Sequence, residues 1–206
     1  MSFINYHQAR GHIFGECMSH PDSEYMYVYI PKNATSWTKP NLLDFGWEFY
    51  NYHTDNLNKT ALVVLRDPVE RWISGIAEYL YLYHREFIIS DLNKSVRELI
   101  FDKIAFDDHT ERQLYFIEGL DPAKCIFFKF GPEYRSQFSE FLNTINMPNK
   151  YSTYNYQHVS NDSPERKQFK EFFKRELENS KYLNKVEDYF REDMRFIETV
   201  KFYGTR

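Results

Sequence analysis

Two stretches of this chain pass abruptly from a short apolar run into a polar turn and then into a helix-like pattern. The first is Tyr27-Val28-Tyr29-Ile30-Pro31-Lys32-Asn33-Ala34-Thr35-Ser36-Trp37. The second is Ala61-Leu62-Val63-Val64-Leu65-Arg66-Asp67-Pro68-Val69-Glu70-Arg71-Trp72-Ile73-Ser74-Gly75. A strand that runs directly into a helix aims the first N–H groups of that helix, and the positive end of its dipole, at the turn. Such a chain needs a sheet to hold the strands and helices to cover it. It also offers two anion-binding turns, which suits a ligand with two separate phosphate-like groups.

The remaining pattern supports an α/β fold. Residues 25–30, 61–65 and 125–130 read as strands, and the β-branched run at 61–65 reads as a buried parallel one. A helix is expected over 36–45, limited by Pro40, and 46–60 reads as loop or irregular helix. Asp67 reads as an N-cap, with Pro68 at the first helical position and Glu70 closing a capping-box-like pattern. Val69, Trp72, Ile73, Ile76, Ala77 and Leu80 then recur at helical spacing. Further helices are expected over 93–104, from a cap at Asp108, from Gly131-Pro132 to about Leu142, over 164–180 and over 184–200, with a loop over 147–163. The expectation is a P-loop-like three-layer fold: a small central parallel sheet flanked by helices, as one domain spanning residues 1–206.

Composition excludes some functions. The formal net charge of −4 gives no basic surplus of the kind nucleic-acid binding needs. No apolar run reaches the about 18 residues of a membrane span. Cys17 and Cys125 are far apart, and Cys125 beside Ile126-Phe127-Phe128 reads as a buried thiol. Met1-Ser2-Phe3-Ile4-Asn5-Tyr6-His7 does not read as a signal peptide, so a cytoplasmic, disulfide-free protein is expected. Aromatic residues make up 19%, enough to build the core and leave a minority to stack on adenine or sugar faces.

The two turns together resemble the cofactor elements of sulfotransferases that use 3′-phosphoadenosine 5′-phosphosulfate (PAPS). Pro31-Lys32-x-x-Thr35-Ser36-Trp37 resembles the 5′-phosphosulfate loop of that family, and Arg66-Asp67-Pro68-x-x-Arg71-x-x-Ser74 resembles its 3′-phosphate element. The second is the more specific, and the pair covers roughly residues 25 to 80. The carbohydrate sulfotransferases of this kind are Golgi proteins with a membrane anchor. This chain begins almost at its first strand, so either a soluble microbial or viral relative, which Met1 favours, or a truncated form is expected. The resemblance implies sulfo transfer from PAPS to an acceptor hydroxyl, with release of 3′-phosphoadenosine 5′-phosphate (PAP) and without a metal.

Each site residue has a chemical reason. Negative charge grows on the bridging and 5′-phosphate oxygens as the S–O bond breaks, and Lys32 is expected to meet it. The N–H groups of Asn33, Ala34, Thr35, Ser36 and Trp37 are expected to cradle the phosphosulfate, aided by the Thr35 and Ser36 hydroxyls. Arg66 ends a strand, where open α/β sheets bind ligands, and its guanidinium suits a 3′-phosphate. The resemblance assigns Ser74 to the same phosphate. Arg71 and Asp67 read as structural.

An acceptor hydroxyl needs a group to take its proton. Asp108-His109-Thr110-Glu111-Arg112-Gln113 resembles the His-x-x-x-Gln segment of uronyl and related carbohydrate sulfotransferases, with Arg112 standing where a Pro often precedes the Gln. That resemblance makes His109 the candidate base and carbohydrate the expected acceptor. His53, His158, Glu48 and Asp44 are reserves. Two other readings stand beside this one. A P-loop nucleotide kinase-like phosphotransferase lacks its Gly-x-x-x-x-Gly-Lys-Ser/Thr signature here. A non-catalytic nucleotide-binding relative would bind PAP without turnover.

Overall fold

Five strands hydrogen-bond into one mixed sheet in the computed structural model of the chain, which describes residues 15–50, 53–84, 88–145 and 163–204, the side chains of 54 and 55 excepted. The strands are β1 (Cys17–Ser19), β2 (Tyr25–Val28), β3 (Glu48–Tyr50), β4 (Thr60–Leu65) and β5 (Cys125–Lys129), in the order β3-β1-β2-β4-β5. The α-helices are α1 (Thr35–Asp44), α2 (Pro68–Tyr83), α3 (Lys94–Lys103), α4 (Tyr134–Thr144), α5 (Pro164–Glu176), α6 (Ser180–Tyr189) and α7 (Arg191–Thr199). The fold is α/β, as the strand and helix patterns imply.

The parallel strands are the three expected. β2 pairs with β4 and β4 with β5, in a register that sets Tyr25 opposite Thr60 and Leu65 opposite Lys129. The expected all-parallel sheet is nevertheless mixed, because β1 runs antiparallel to both β2 and β3. Both added strands are three residues long, too short for an alternating pattern to stand out, and β3 falls inside the stretch read as loop. The expected loop over 147–163, with His158, lies outside the described residues except for Ser163.

The chain gathers into two compact units interleaved along the sequence. Among the described residues, the sheet unit takes those within 15–66, 113–145 and 197–204. Its core sets alternate strand residues, Tyr27, Leu62, Val64 and Phe128, against Trp37 and Leu42 of α1 and Tyr134, Phe138 and Phe141 of α4. The rings pack edge to face: Phe128 lies 5.1 Å from Phe138 with 63° between the planes, and Trp37 5.8 Å from Tyr134 with 78°.

Among the described residues, the helical unit takes those within 67–112 and 163–196. Asp67 caps α2 by accepting the Glu70 N–H at 2.8 Å, and Asn93 caps α3 through the Val96 N–H. Trp72, Ile76 and Leu80 of α2 bury their stripe against Phe101 of α3, Phe169 and Phe173 of α5 and Val186 of α6. The helix expected over 164–180 ends at Glu176, because Asn179 accepts the Lys181 N–H and opens a new helix. That new helix stops at Phe190, which is wholly buried, so the single helix expected over 184–200 is two. Among the described residues, no helix is long and apolar enough to cross a membrane.

Candidate functional site

In the sheet unit, β2 and β4 are parallel neighbours, so the turns that follow them leave the sheet at the same edge. The first turn is bent by its backbone. Lys32 and Ala34 both have positive φ, 68° and 61°, and they bracket Asn33. Left-handed alanine costs roughly 1–2 kcal/mol, a local strain of the kind held at ligand-binding turns. Ala34 is the N-cap of α1 and supplies no capping side chain. The start of the helix is therefore left without the oxygen that Ser, Thr, Asp or Asn would contribute.

The N–H cradle is narrower than the sequence suggests. Asn33 N donates to Ile30 O at 3.2 Å and Trp37 N donates to Ala34 O at 2.9 Å. The N–H groups of Ala34, Thr35 and Ser36 remain as those a helix start does not use internally. Ser36 is exposed, and Lys32 and Thr35 are half-buried. The Trp37 ring is packed into the core rather than offered to a ligand.

Arg66 follows β4. Its Nη1 donates to Lys32 O at 3.2 Å, and its guanidinium lies 4.9 Å above the Phe130 ring. The two turns thus touch through a guanidinium and a carbonyl. A second link runs beneath them. Gln113 is buried, and its Oε1 accepts both the Asn33 Nδ2 at 2.6 Å and the Arg66 N–H at 3.0 Å. Its Nε2 donates to Arg66 O at 2.8 Å, and Asn33 Nδ2 also donates to Val64 O at 2.7 Å. The sequence motifs involve Asn33 only through its backbone and Gln113 only through its spacing from His109. One signal was available: Gln113 is an isolated carboxamide at the head of the apolar run Leu114-Tyr115-Phe116-Ile117.

Ser74 and His109 belong to the helical unit. Ser74 is buried on α2. His109 stands in a turn that α2 holds with three residues. Arg71 is fully buried and donates through Nη2 to Asp108 O at 2.9 Å and through Nη1 to Glu111 O. Trp72 Nε1 donates to Ile104 O at 3.0 Å. Gly75 lies so near that a Cβ there would stand 2.1 Å from His109 O. The structural role read for Arg71 is therefore seen, although its partners are carbonyls of this loop rather than Asp67.

The expected cap at Asp108 lies one residue earlier. Asp107 Oδ1 accepts the N–H groups of His109 and Thr110, and the segment forms a turn rather than a helix. Asp107 Oδ2 sits 2.8 Å from His109 Nδ1, and Asp108 Oδ1 sits 3.0 Å from it. Burial works against the imidazolium, but hydrogen bonds and charge from the two carboxylates outweigh it and raise the His109 pKa to about 9. Their ligand atoms lie within 4.8 Å of one another, a spacing open to a metal ion. The turn hydrogen bonds and the imidazolium already account for that spacing.

The reserves are placed differently. His53 is buried, its N–H donates to Gly15 O, and burial lowers its pKa. Asp44 and Glu48 are exposed, at the end of α1 and on the edge strand β3. Cys17 and Cys125 are both free thiols, and burial with Asp121 nearby pushes Cys125 up to about 11.

No protein-family model matches the chain, and neither the curated proteins nor the solved structures provide a match to it.

Proposed function

We propose that this chain is a PAPS-dependent sulfotransferase of P-loop-like architecture, acting on a hydroxyl of a carbohydrate. The observation that carries the reading is the contact of the two turns: an uncapped helix start at Ala34 and a guanidinium at Arg66, joined through Lys32 O at one sheet edge. Backbone N–H groups beside a separate guanidinium suit one ligand with two anionic groups. The identity of that ligand as PAPS rests on the resemblance of the two motifs.

In the proposed reaction the acceptor oxygen attacks sulfur in line with the bridging oxygen. The new O–S bond forms as the old one breaks, and PAP leaves with the electron pair on its 5′-phosphate. Lys32 and the N–H groups of Ala34, Thr35 and Ser36 stabilise that growing charge. Arg66 binds the 3′-phosphate, a role the resemblance extends to Ser74. His109, proposed on the resemblance of its segment, takes the acceptor proton on Nε2 while Asp107 and Asp108 hold Nδ1. Only the neutral imidazole can do so, and its raised pKa makes that form scarce near neutral pH.

The test is incubation with PAPS labelled in the sulfo group and a panel of carbohydrates, lipids and phenols. Label in a carbohydrate product is the expected outcome. Tight PAP binding with no transfer to any class would identify a non-catalytic relative, and transfer from ATP instead would identify a phosphotransferase.

A further inference from the structure

The carboxamide of Gln113 has only one orientation that satisfies its neighbours. The Arg66 N–H is a donor and Arg66 O is an acceptor, so the atom 3.0 Å from the first is oxygen and the atom 2.8 Å from the second is nitrogen. With Oε1 fixed, Asn33 must present its Nδ2, and the same nitrogen reaches Val64 O. The other atom, Asn33 Oδ1, is buried with no hydrogen-bond partner. A side chain eighty residues away along the chain thus pairs with Arg66 as a neighbouring strand would, and grips the residue between the two left-handed positions of the first turn.

We propose that Gln113 is a positioning residue for both anion-binding turns. Through its paired hydrogen bonds to Arg66 and its bond to Asn33, it sets the distance between the Arg66 guanidinium and the N–H groups of Ala34–Ser36. That distance selects a ligand with two anionic groups over one with a single group. The inference rests on the two-phosphate reading above. A rigid pair of sites gains from both contacts at once, and a loosened pair loses that gain while each single contact persists.

The experiment measures the ratio of PAP to AMP affinity by calorimetry on the full chain, beside thermal unfolding, for wild type and four variants. Gln113→Ala and Asn33→Ala should each cut the ratio about 10-fold or more, as small misplacements do, with AMP affinity nearly unchanged. The double variant should lose little more than either single one, since both act on one network. Asn33→Ala also removes the orphaned acceptor, so it remains a usable variant if Gln113→Ala does not fold. Gln113→Glu carries a rescue. As a carboxylate it faces Arg66 O with an acceptor and should lose the ratio, whereas protonated at low pH it regains one donor and one acceptor and should recover it relative to wild type at the same pH. A purely structural role would lower the unfolding temperature and leave the ratio of the folded protein unchanged; that result in Gln113→Ala or Asn33→Ala overturns the proposal. Equal affinity of wild type for PAP and AMP would instead remove the two-phosphate reading, and this inference with it.

Discussion

His109 O lies 2.1 Å from the point where a Cβ on residue 75 would stand. Helix α2 and the His109 turn therefore meet backbone to backbone, and only glycine allows it. Gly75→Ala should destabilise the protein by about 2 kcal/mol or more, since overpacking against backbone outweighs the gain in helix propensity. Urea unfolding of the variant measures this, and an unchanged midpoint would contradict the close approach.

The protonation of His109 should make stability depend on pH. Its folded pKa, about 9, lies above the ordinary 6.5. The stabilisation is therefore complete below about 6.5 and is lost as pH rises through about 9, with a size on the order of 2–4 kcal/mol. The stability gap between wild type and His109→Gln should be open near pH 6 and closed near pH 10. A gap that stays constant across this range would contradict the ion cluster.

In the proposed function, Arg66 sets the preference among nucleotides. PAP should bind clearly tighter than ADP or AMP, because only PAP fills both sites. Arg66→Ala should remove most of that preference, a loss of about 1.5–3 kcal/mol for a charged hydrogen-bonding partner. Calorimetry with the three nucleotides reads the difference directly.

Lys32 and His109 should fail differently. Lys32→Ala removes charge stabilisation on the leaving side, so turnover should fall at every pH and with every acceptor. His109→Ala should cost about 10²- to 10⁴-fold on a sugar hydroxyl, and far less on a nitrophenol that is already ionised. The wild-type rate on the sugar should climb with pH toward about 9 as the imidazole becomes neutral. Full sugar activity in His109→Ala would return the search for a base to Glu48, His53 and His158.

Chelation gives another check. The charge of the transferring group is proposed to be met by Lys32, Arg66 and backbone N–H groups. Activity should thus survive EDTA, whereas a strict need for magnesium would move the weight to a phosphotransferase.

The parts legible in the sequence are those written in local pattern. The run Ala61–Leu65 is buried along its length, as a strand covered on both faces must be. Asp67, Pro68 and Glu70 announced the start of α2 through capping chemistry held within a few residues. β1 and β3 were illegible because three residues carry no period. The Asn33–Gln113 bond was illegible because its partners meet only after the chain has folded. The proton balance of His109 was hidden for a related reason: spacing shows that Asp107 and Asp108 are near, but only geometry shows both on one nitrogen.

The β4–β5 ladder also fixes the order in which the protein can be made. Ala61 pairs with Cys125, so the strands that meet are 64 residues apart (125 − 61). A nascent chain that has reached the end of α2 holds Ala61–Leu65 with its β5 side unpaired, an apolar template for other chains. Completion of the sheet waits for synthesis of β5, and long-range parallel pairing of this kind is slow. Fragments that stop short of residue 125 should therefore aggregate.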